Sequence, residues 1–405
     1  MQKIVTLGFI SWLLLVNVWA QTAPAKEEVK QEEKKAAWYE KISLRGYAQL
    51  RYNRLLETNP DLKCDQCDKS WGENGGFFFR RIRLIFSGDI GEHLYFYIQP
   101  DFASSASSTG LHFAQIRDAY FDVSIDKKKE FRFRFGQSKV PYGFENMQSS
   151  QNRLPLDRAD ATNSSVPNER DLGVMFYYAP AAKRELYKRL IADGLKGSGD
   201  YGVVGFGVYN GQIANRPEAN NSPHLVARVS YPFEIGKQII EPGVQAYTGK
   251  YTLGSDQLTK NVKVAKDFTY QDQRVAASLC LYPKPFGILA EYNIGKSPQF
   301  NAATDSIETR SLTGGFVTFC YKWDIKKQTI LPYTRLQYYD GGKKAELDAR
   351  HHVVREAEMG IEYQPFKYFE LVAAYVISQR TTNDFAKKNN DQKGRLLRLQ
   401  AQFNF

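Results

Sequence analysis

Arginine residues alternate with apolar residues in several extended stretches of this chain. Arg132 and Arg134 alternate with three phenylalanines between positions 131 and 135, and Arg81 and Arg83 flank Ile82. Successive side chains of a β-strand point to opposite faces, so the arginines of each stretch share one face. Guanidinium groups keep their charge at any working pH and hold phosphate or carboxylate oxygens through paired hydrogen bonds. This spacing therefore predicts strand faces that can bind anions.

The same alternation assigns a larger set of arginines to one polar face. A charged side chain facing lipid at mid-depth costs about 2–4 kcal/mol, so we expect these arginines to face a hydrated interior, where fixed cations favour anions. The predicted pore-lining residues are Arg45, Arg51, Arg81, Arg83, Arg132, Arg134, Arg274 and Arg398. An alternative stays open: carboxylates such as Asp118, Asp122, Glu356, Glu358 and Glu362 pair with the arginines, which then only brace the wall. Turn lysines, including Lys343 and Lys344, are interpreted as part of the excess charge outside the pore.

The last ten residues indicate the class of fold. Leu397, Leu399, Ala401, Phe403 and Phe405 share one face of an extended strand, and the residues between them are polar. A strand of this pattern that ends on an aromatic residue predicts an all-β protein, a transmembrane antiparallel β-barrel whose apolar face meets lipid and whose polar face lines water. A half-buried strand of a soluble β-sandwich would show the same alternation of apolar and polar residues.

The amino terminus separates these two possibilities. Lys3 precedes an apolar stretch from Ile4 to Val18, and Val18-Trp19-Ala20 fits a signal-cleavage site. We expect residues 1–20 to be a signal peptide, 21–37 a charged periplasmic lead and 38–405 the barrel. No later segment approaches the twenty or so apolar residues of a membrane helix, and the mean hydropathy is −0.48. These features predict a location in the outer membrane of a Gram-negative bacterium.

About sixteen extended segments follow Trp38, each of roughly ten to fifteen residues, as strands that cross a bilayer at a tilt require. Short turns such as Gly91-Glu92 alternate with long polar loops, a rhythm that a soluble sandwich does not readily produce. The stretch Pro180 to Asp200 breaks the rhythm, because it is long where a short turn is expected. Either a small periplasmic helix lies there, or the strand count is wrong by two.

The connection from Ser138 to Arg170 is a second candidate site. Connections longer than about fifteen residues are usually functional or disordered. Folded into the barrel, this one would form a constriction loop with the basic residues Lys139, Arg153, Arg158 and Arg170. The alternative is an external flap.

Composition and motifs restrict the other functions. The formal net charge is +11, but an exported chain meets little nucleic acid, so small anionic solutes and outer-membrane lipid or lipopolysaccharide are the expected partners. The sequence holds no hydrolase, phosphate-loop or dinucleotide motif, and we expect no catalytic residue, no metal and no cofactor. Cys64 and Cys67 are too few for a zinc site and are interpreted as a local disulfide. A barrel-borne hydrolase remains a less favoured alternative.

Three motifs resemble those of the phosphate-selective porins O and P. They are Gln115-Ile116-Arg117-Asp118-Ala119-Tyr120, Gly136-Gln137-Ser138-Lys139-Val140-Pro141-Tyr142-Gly143 and Arg170-Asp171-Leu172-Gly173. The resemblance covers roughly 40 to 405 and includes the terminal Phe405. It implies a sixteen-stranded homotrimeric porin with an arginine ladder and a basic, inward-folded constriction loop, in which Lys139 and Arg153 occupy the corresponding region. The function it implies is passive, anion-favouring diffusion of solutes such as phosphate; a general or oligosaccharide-selective pore is the alternative.

Overall fold

The computed structural model describes residues 38–64, 76–103 and 112–405. The expected signal peptide and the whole of the charged lead lie outside these residues, and both remain predictions. The chain divides into a unit Met1–Glu40 and a unit Lys41–Phe405. The described residues of the first unit belong to a short 3-10 turn, Trp38–Lys41, whose last residue is the first of the second unit.

The second unit is built almost entirely of antiparallel strands. In chain order the segments are β1 Ser43–Leu55, β2 Phe77–Ile90, β3 Leu94–Asp101, β4 Gln115–Ser124, β5 Phe131–Lys139, β6 Arg170–Tyr178, β7 Val204–Tyr209, β8 His224–Ser230, β9 Phe233–Ile235, β10 Gln238–Thr252, β11 Thr269–Leu281, β12 Phe286–Asn301, β13 Ser306–Tyr321, β14 Trp323–Ile325, β15 Gln328–Gly342, β16 His351–Phe366, β17 Phe369–Asn383 and β18 Asn390–Asn404. Each of the sixteen strands expected from the sequence corresponds to one segment or to a joined pair.

The sheet closes on itself because β1 pairs with β18. Tyr47 lies opposite Asn404, and the register continues to Leu55 opposite Leu397. Segments β8 and β9 both pair with β10, and β13 and β14 both pair with β15, so each pair is one strand with an interruption. The 18 segments of the sheet therefore form a barrel of sixteen strands. Closure satisfies every strand edge, which lipid would otherwise leave without hydrogen-bond partners.

Side chains that point outward and inward alternate along the strands of the barrel. In β8 the side chains of Leu225, Ala227 and Val229 are exposed on the outside, and those of His224, Val226, Arg228 and Ser230 are buried inside. This is the apolar-out, polar-in pattern of a membrane barrel. None of the helices among the described residues is long and apolar enough to cross a membrane.

The long stretch after β6 is a helix, so the strand count holds. The helix α3, Ala181–Ala192, packs Leu186, Tyr187 and Leu190 into a buried cluster at the end of the barrel that carries the short turns. Gly194 follows with a positive φ of 64° and lets the Leu195 amide donate to the Leu190 carbonyl, which ends the helix. The helix that the first alternative predicted for Pro180 to Asp200 is confirmed, and its periplasmic location stays a prediction. Two single-turn helices, α1 Phe144–Met147 and α2 Asp160–Asn163, lie in the loop before β6.

The wall is uneven in height. Segments β3 to β8 contain between 6 residues, in β7, and 10 residues, in β4. The strands from β15 to β18 contain 15 or 16 residues. We call these two sides the short wall and the long wall.

Candidate functional site

The loop between β5 and β6, from Val140 to Glu169, lies inside the barrel. On one side the Tyr142 hydroxyl donates to Asn293 Oδ1 over 2.7 Å, and the Phe144 amide donates to Glu291 over 2.6 Å. On the other side Ser150 contacts Tyr47 of β1. A loop that is attached to β1 and to β12 spans the lumen and narrows it. The inward-folded alternative is confirmed, and we call this segment the constriction loop.

Ion pairs attach the loop to the long wall as well. Asp160 accepts hydrogen bonds from Arg380 over 3.0 Å and from Lys343. Arg335 binds Glu145 and the Asp157 carbonyl, and Arg51 and Arg398 bind the Asp157 carboxylate. Buried charges are stable only when they are paired and hydrogen-bonded. These contacts therefore fix the position of the loop within the lumen.

The carboxylates of the loop stay charged because cations surround them. Burial opposes ionisation of Asp157, but Arg398 and Arg51 hold its pKa well below the usual range. Burial likewise opposes ionisation of Glu169, whose pKa is held well below its usual value by Arg158, Lys139 and Arg170. Glu145 differs, since burial outweighs Arg335 and raises its pKa.

The four basic residues predicted for the constriction loop hold the loop in shape. Lys139 donates to the carbonyls of residues 146–148, and Arg153 donates to the carbonyls of Pro155 and Leu156. Arg158 and Arg170 bind Glu169 over 3.1 and 2.6 Å. Their contacts give these cations a positioning role, and whether they also meet a solute stays a prediction.

The predicted wall arginines all face the interior, and most are buried there by partners. Arg83 pairs with Asp101, Arg134 with Asp122 and Arg132 with Asp200, at 2.6–2.8 Å. Arg274 donates to Ala161 and Ser164 of the constriction loop. The bracing alternative thus describes part of the wall correctly. Arg45 lies opposite Ile85 on the inward face and keeps an exposed side chain.

A β-bulge in β2 adds Arg80 to the arginines that alternation predicts on the inward face. Gln49 lies opposite Arg81 and Leu50 opposite Phe79, so Arg80 is the inserted residue. Arg81 interacts electrostatically with Arg80, Arg83, Arg51 and Arg153, and its guanidinium donates to Gln49. Arg80 is half-buried and lies close enough to Asp157 of the constriction loop for the two charges to interact. The signal in the sequence was the pair of adjacent arginines, which breaks the period of two.

A cavity of about 830 Å³ lies between the constriction loop and the end of the barrel that carries the short turns. We call it the vestibule. Its lining contains ten basic side chains and five carboxylates. The basic residues include Arg45, Arg132 and Arg134 of the wall, Arg184 and Lys188 of α3, and the turn lysines 127–129. The vestibule therefore carries a net positive charge, and turn lysines contribute to it directly.

Four tyrosines share the vestibule with these charges: Tyr95, Tyr97, Tyr120 and Tyr201. Tyr97 and Tyr120 stack with ring centroids 5.0 Å apart, and the Arg134 guanidinium lies 3.9 Å above the Tyr120 ring. Cation–π contact and the Asp122 pair together hold Arg134 in one position.

Several cations that contact carboxylates inside the lumen were not predicted from the sequence. Arg335 and Arg380 join the constriction loop to the long wall, as described above. Lys343 and Lys344, interpreted as turn lysines, are buried in contact with Asp160 and Asp272. That interpretation is wrong, because the loop from 343 to 350 turns into the lumen. Cys64 is disulfide-bonded, but Cys67, its expected partner, lies outside the described residues.

Comparison with known proteins agrees with this architecture. OmpF of Salmonella typhi, in complex with daunomycin, superposes with a TM-score of 0.56 at 13% identity, covering 90% of this chain and 97% of that one. An anion-selective porin from Comamonas acidovorans gives a TM-score of 0.52 at 10% identity, covering 90% and 99%. The trimer form of OmpT, an outer membrane protein of Vibrio cholerae, gives the same TM-score, identity and coverages as the Comamonas porin. At these identities the likeness concerns the fold alone.

Sequence comparison identifies the family. No curated protein matches the chain. The family model described as phosphate-selective porin O and P matches residues 60–405. The fold and the family are those of porins, which are channels. The chain belongs to the phosphate-selective porin O and P family.

Proposed function

We propose that this protein is an outer-membrane porin that favours small anions such as phosphate and lets them diffuse passively along inward-facing arginines. One observation carries the proposal: basic side chains outnumber carboxylates by ten to five in the lining of the vestibule. Fixed charge of one sign in a confined, low-dielectric passage raises the local concentration of the opposite ion. The bulge arginines then extend the positive charge to the constriction loop.

The path has two stages. Arg45, with its exposed guanidinium, and the vestibule lysines attract an anion at the end with the short turns. Arg80 and Arg81 then stand beside the constriction loop, where guanidinium groups replace part of the anion's hydration shell. Passage needs no chemical step, and we assign no catalytic residue and no cofactor.

Planar bilayer recording tests this proposal. A single pore in a tenfold gradient of potassium chloride should show a zero-current potential of the sign that marks chloride as the more permeant ion, and phosphate should carry current too. A potential of the opposite sign would contradict the proposal, as would the absence of current from protein whose circular dichroism shows an intact barrel.

The tyrosines of the vestibule support a second candidate, a pore for oligosaccharides. Sugar rings stack on aromatic faces and donate hydroxyl groups to carboxylates, and Tyr95, Tyr97 and Asp118 offer both kinds of group. Block of the chloride current by neutral oligosaccharides at micromolar to millimolar concentration would favour this candidate. Block by phosphate without block by sugars would favour the anion pore.

We also propose a homotrimer that associates through the short wall. Strand β7 has 6 residues, whereas about nine to eleven are needed to cross the hydrocarbon region at a tilt. The outer face there is covered by phenylalanines in mutual contact, including Phe133, Phe176 and Phe206. A neighbouring copy would cover this face better than lipid. Cysteine at Phe206 should cross-link between copies, whereas cysteine at Ile377 of the long wall should not.

A further inference from the structure

The outer face of the long wall carries cations directly above its apolar band. Along β18 the outward side chains are Lys393 and Arg395, followed by Leu397 and Leu399. Arg355 of β16 also faces outward, since its neighbours Val354 and Glu356 are buried inside. All three cations are exposed. We call Arg355, Lys393 and Arg395 the exterior cation patch.

Strand register places the patch on adjoining rows of the sheet. Arg355 lies opposite Gln379, and Gln379 lies opposite Lys393. In the next row Ala357 lies opposite Ile377, and Ile377 lies opposite Arg395. Adjacent strands are about 4.8 Å apart, so Arg355 and Lys393 are separated by about 10 Å at the backbone. That separation suits two phosphate groups on one molecule, or one phosphate held between long side chains.

A groove in the wall lies beside these cations. It has a volume of about 630 Å³, and its lining includes Thr58 and the apolar side chains of Leu336, Ala357 and Ile377. The groove thus joins an apolar floor to a cationic rim. That combination matches a molecule with acyl chains and an anionic head.

The patch lacks internal neutralisation among the described residues. Neither Arg355 nor Arg395 has a carboxylate within ion-pair distance there, and the nearest carboxylate to Lys393 is that of Asp391, at 3.9 Å, with both side chains largely exposed. Inside the lumen several wall arginines, including Arg83, Arg134 and Arg335, have such a partner. A cation on the lipid side of a barrel costs about 2–4 kcal/mol at the midplane but only about 0–1 kcal/mol near the interface. At that level the patch is free to pair with an external anion.

We propose that the exterior cation patch binds the phosphate groups of a phosphorylated glycolipid in the outer leaflet, with its acyl chains in the adjoining apolar groove. The inference rests on the proposed function and on the orientation of outer-membrane barrels, in which the short turns lie in the periplasm and the long loops outside the cell. The occupant is lipid rather than a second copy of this chain, because the strands β15 to β18 are long enough to cross the hydrocarbon region. Guanidinium groups bind phosphate bidentately, which gives the site its preference for that head.

Binding to lipid A in detergent tests the site, with native mass spectrometry as the readout. The double variant Arg355→Gln and Arg395→Gln should bind bisphosphorylated lipid A at least tenfold more weakly than the unmodified protein. The matched control, Lys326→Gln and Lys327→Gln, removes two exposed cations at the opposite end of the same wall and should bind normally. Enzymatically dephosphorylated lipid A should bind the unmodified protein as weakly as the bisphosphorylated lipid binds the double variant.

Three outcomes would overturn the site: equal binding by the double variant, equal binding of the dephosphorylated lipid, or equally tight binding of inorganic phosphate alone at the same residues. The chloride conductance of the double variant should equal that of the unmodified protein, because both residues lie outside the lumen. A pore without anion preference that still bound lipid A through the patch would refute the proposed solute and leave the lipid site standing.

Discussion

Replacing Arg80 and Arg81 with glutamine removes the two positive charges that the bulge in β2 brings to the constriction. Arg81 has Gln49 as its hydrogen-bond acceptor, and no ion pair joins Arg80 to a carboxylate among the described residues. The substitutions therefore break no buried ion pair, unlike a change at Arg83 or Arg134. Glutamine keeps much of the side-chain volume and its hydrogen-bonding capacity. We expect the barrel to fold normally and its selectivity to change.

Coulomb's law sets the size of the effect. A unit charge about 6 Å from a passing anion contributes roughly 0.7 kcal/mol in bulk water and about 2.8 kcal/mol at an effective dielectric constant of 20. At the lower value, two charges attract an anion by about 1.4 kcal/mol and repel a cation by as much, a difference of about 2.8 kcal/mol. A screening length of about 10 Å at 0.1 M salt roughly halves this difference, which leaves about a tenfold change in the preference for anions. The effect should shrink from 0.1 M to 1 M salt, because the screening length falls from about 10 to about 3 Å.

The assay is the zero-current potential of single pores in a potassium chloride gradient. The anion-to-cation permeability ratio of Arg80→Gln/Arg81→Gln should fall about tenfold at 0.1 M salt. Arg310→Gln is the control, because Arg310 is a half-exposed cation with a single weak partner, Glu308 at 3.6 Å, near the rim of the barrel. An unchanged ratio in the double variant, with a normal barrel signal by circular dichroism, would show that these two charges do not act on the permeating ion.

Other expectations follow from the packing of the lumen. Asp160→Asn removes the loop carboxylate that Arg380 and Lys343 share and leaves these cations with Glu356 and Glu346. The loss is at most about 3–5 kcal/mol, so the constriction loop should loosen and single-channel conductance should rise; unchanged conductance would contradict this. The pKa values of Asp157 and Glu169 are lowered in the folded protein, so their stabilisation is present above the unfolded values near 4 and is lost only as pH falls below them. Because the pKa of Glu145 is raised, the titration uses the variant Glu145→Gln, whose conductance should stay constant from pH 8 to 5. Leu190→Ala at a buried contact of α3 should lower the free energy of unfolding by about 2–5 kcal/mol in urea denaturation, with little change in selectivity.

The strands were predictable because lipid outside and water inside impose one pattern on every crossing. Alternation located all sixteen strands within a few residues, and only the bounds near the rims moved. The charge partners were not predictable, since they join residues far apart in sequence. Arg335 and Glu145 differ by 190 positions, and their contact exists only once the barrel has closed and the loop has entered it. Lys343 and Lys344 were misassigned for the same reason, because a local pattern does not show that a loop turns inward.

Arginines that are paired with carboxylates and cations that are left in excess have different roles in the wall of the barrel. Arg51, Arg335, Arg380 and Arg398 hold the constriction loop through carboxylates that the loop supplies, and this neutralisation removes them as free charges for a solute. In the proposed function, selectivity then comes from cations left in excess. The bulge arginines and the lysines of the turns around the vestibule are the proposed cations, and both Arg80 and the lysines lie outside the regularly alternating stretches. A porin of this design can therefore change its solute preference at bulges and turns while the buried pairs keep its loop in place.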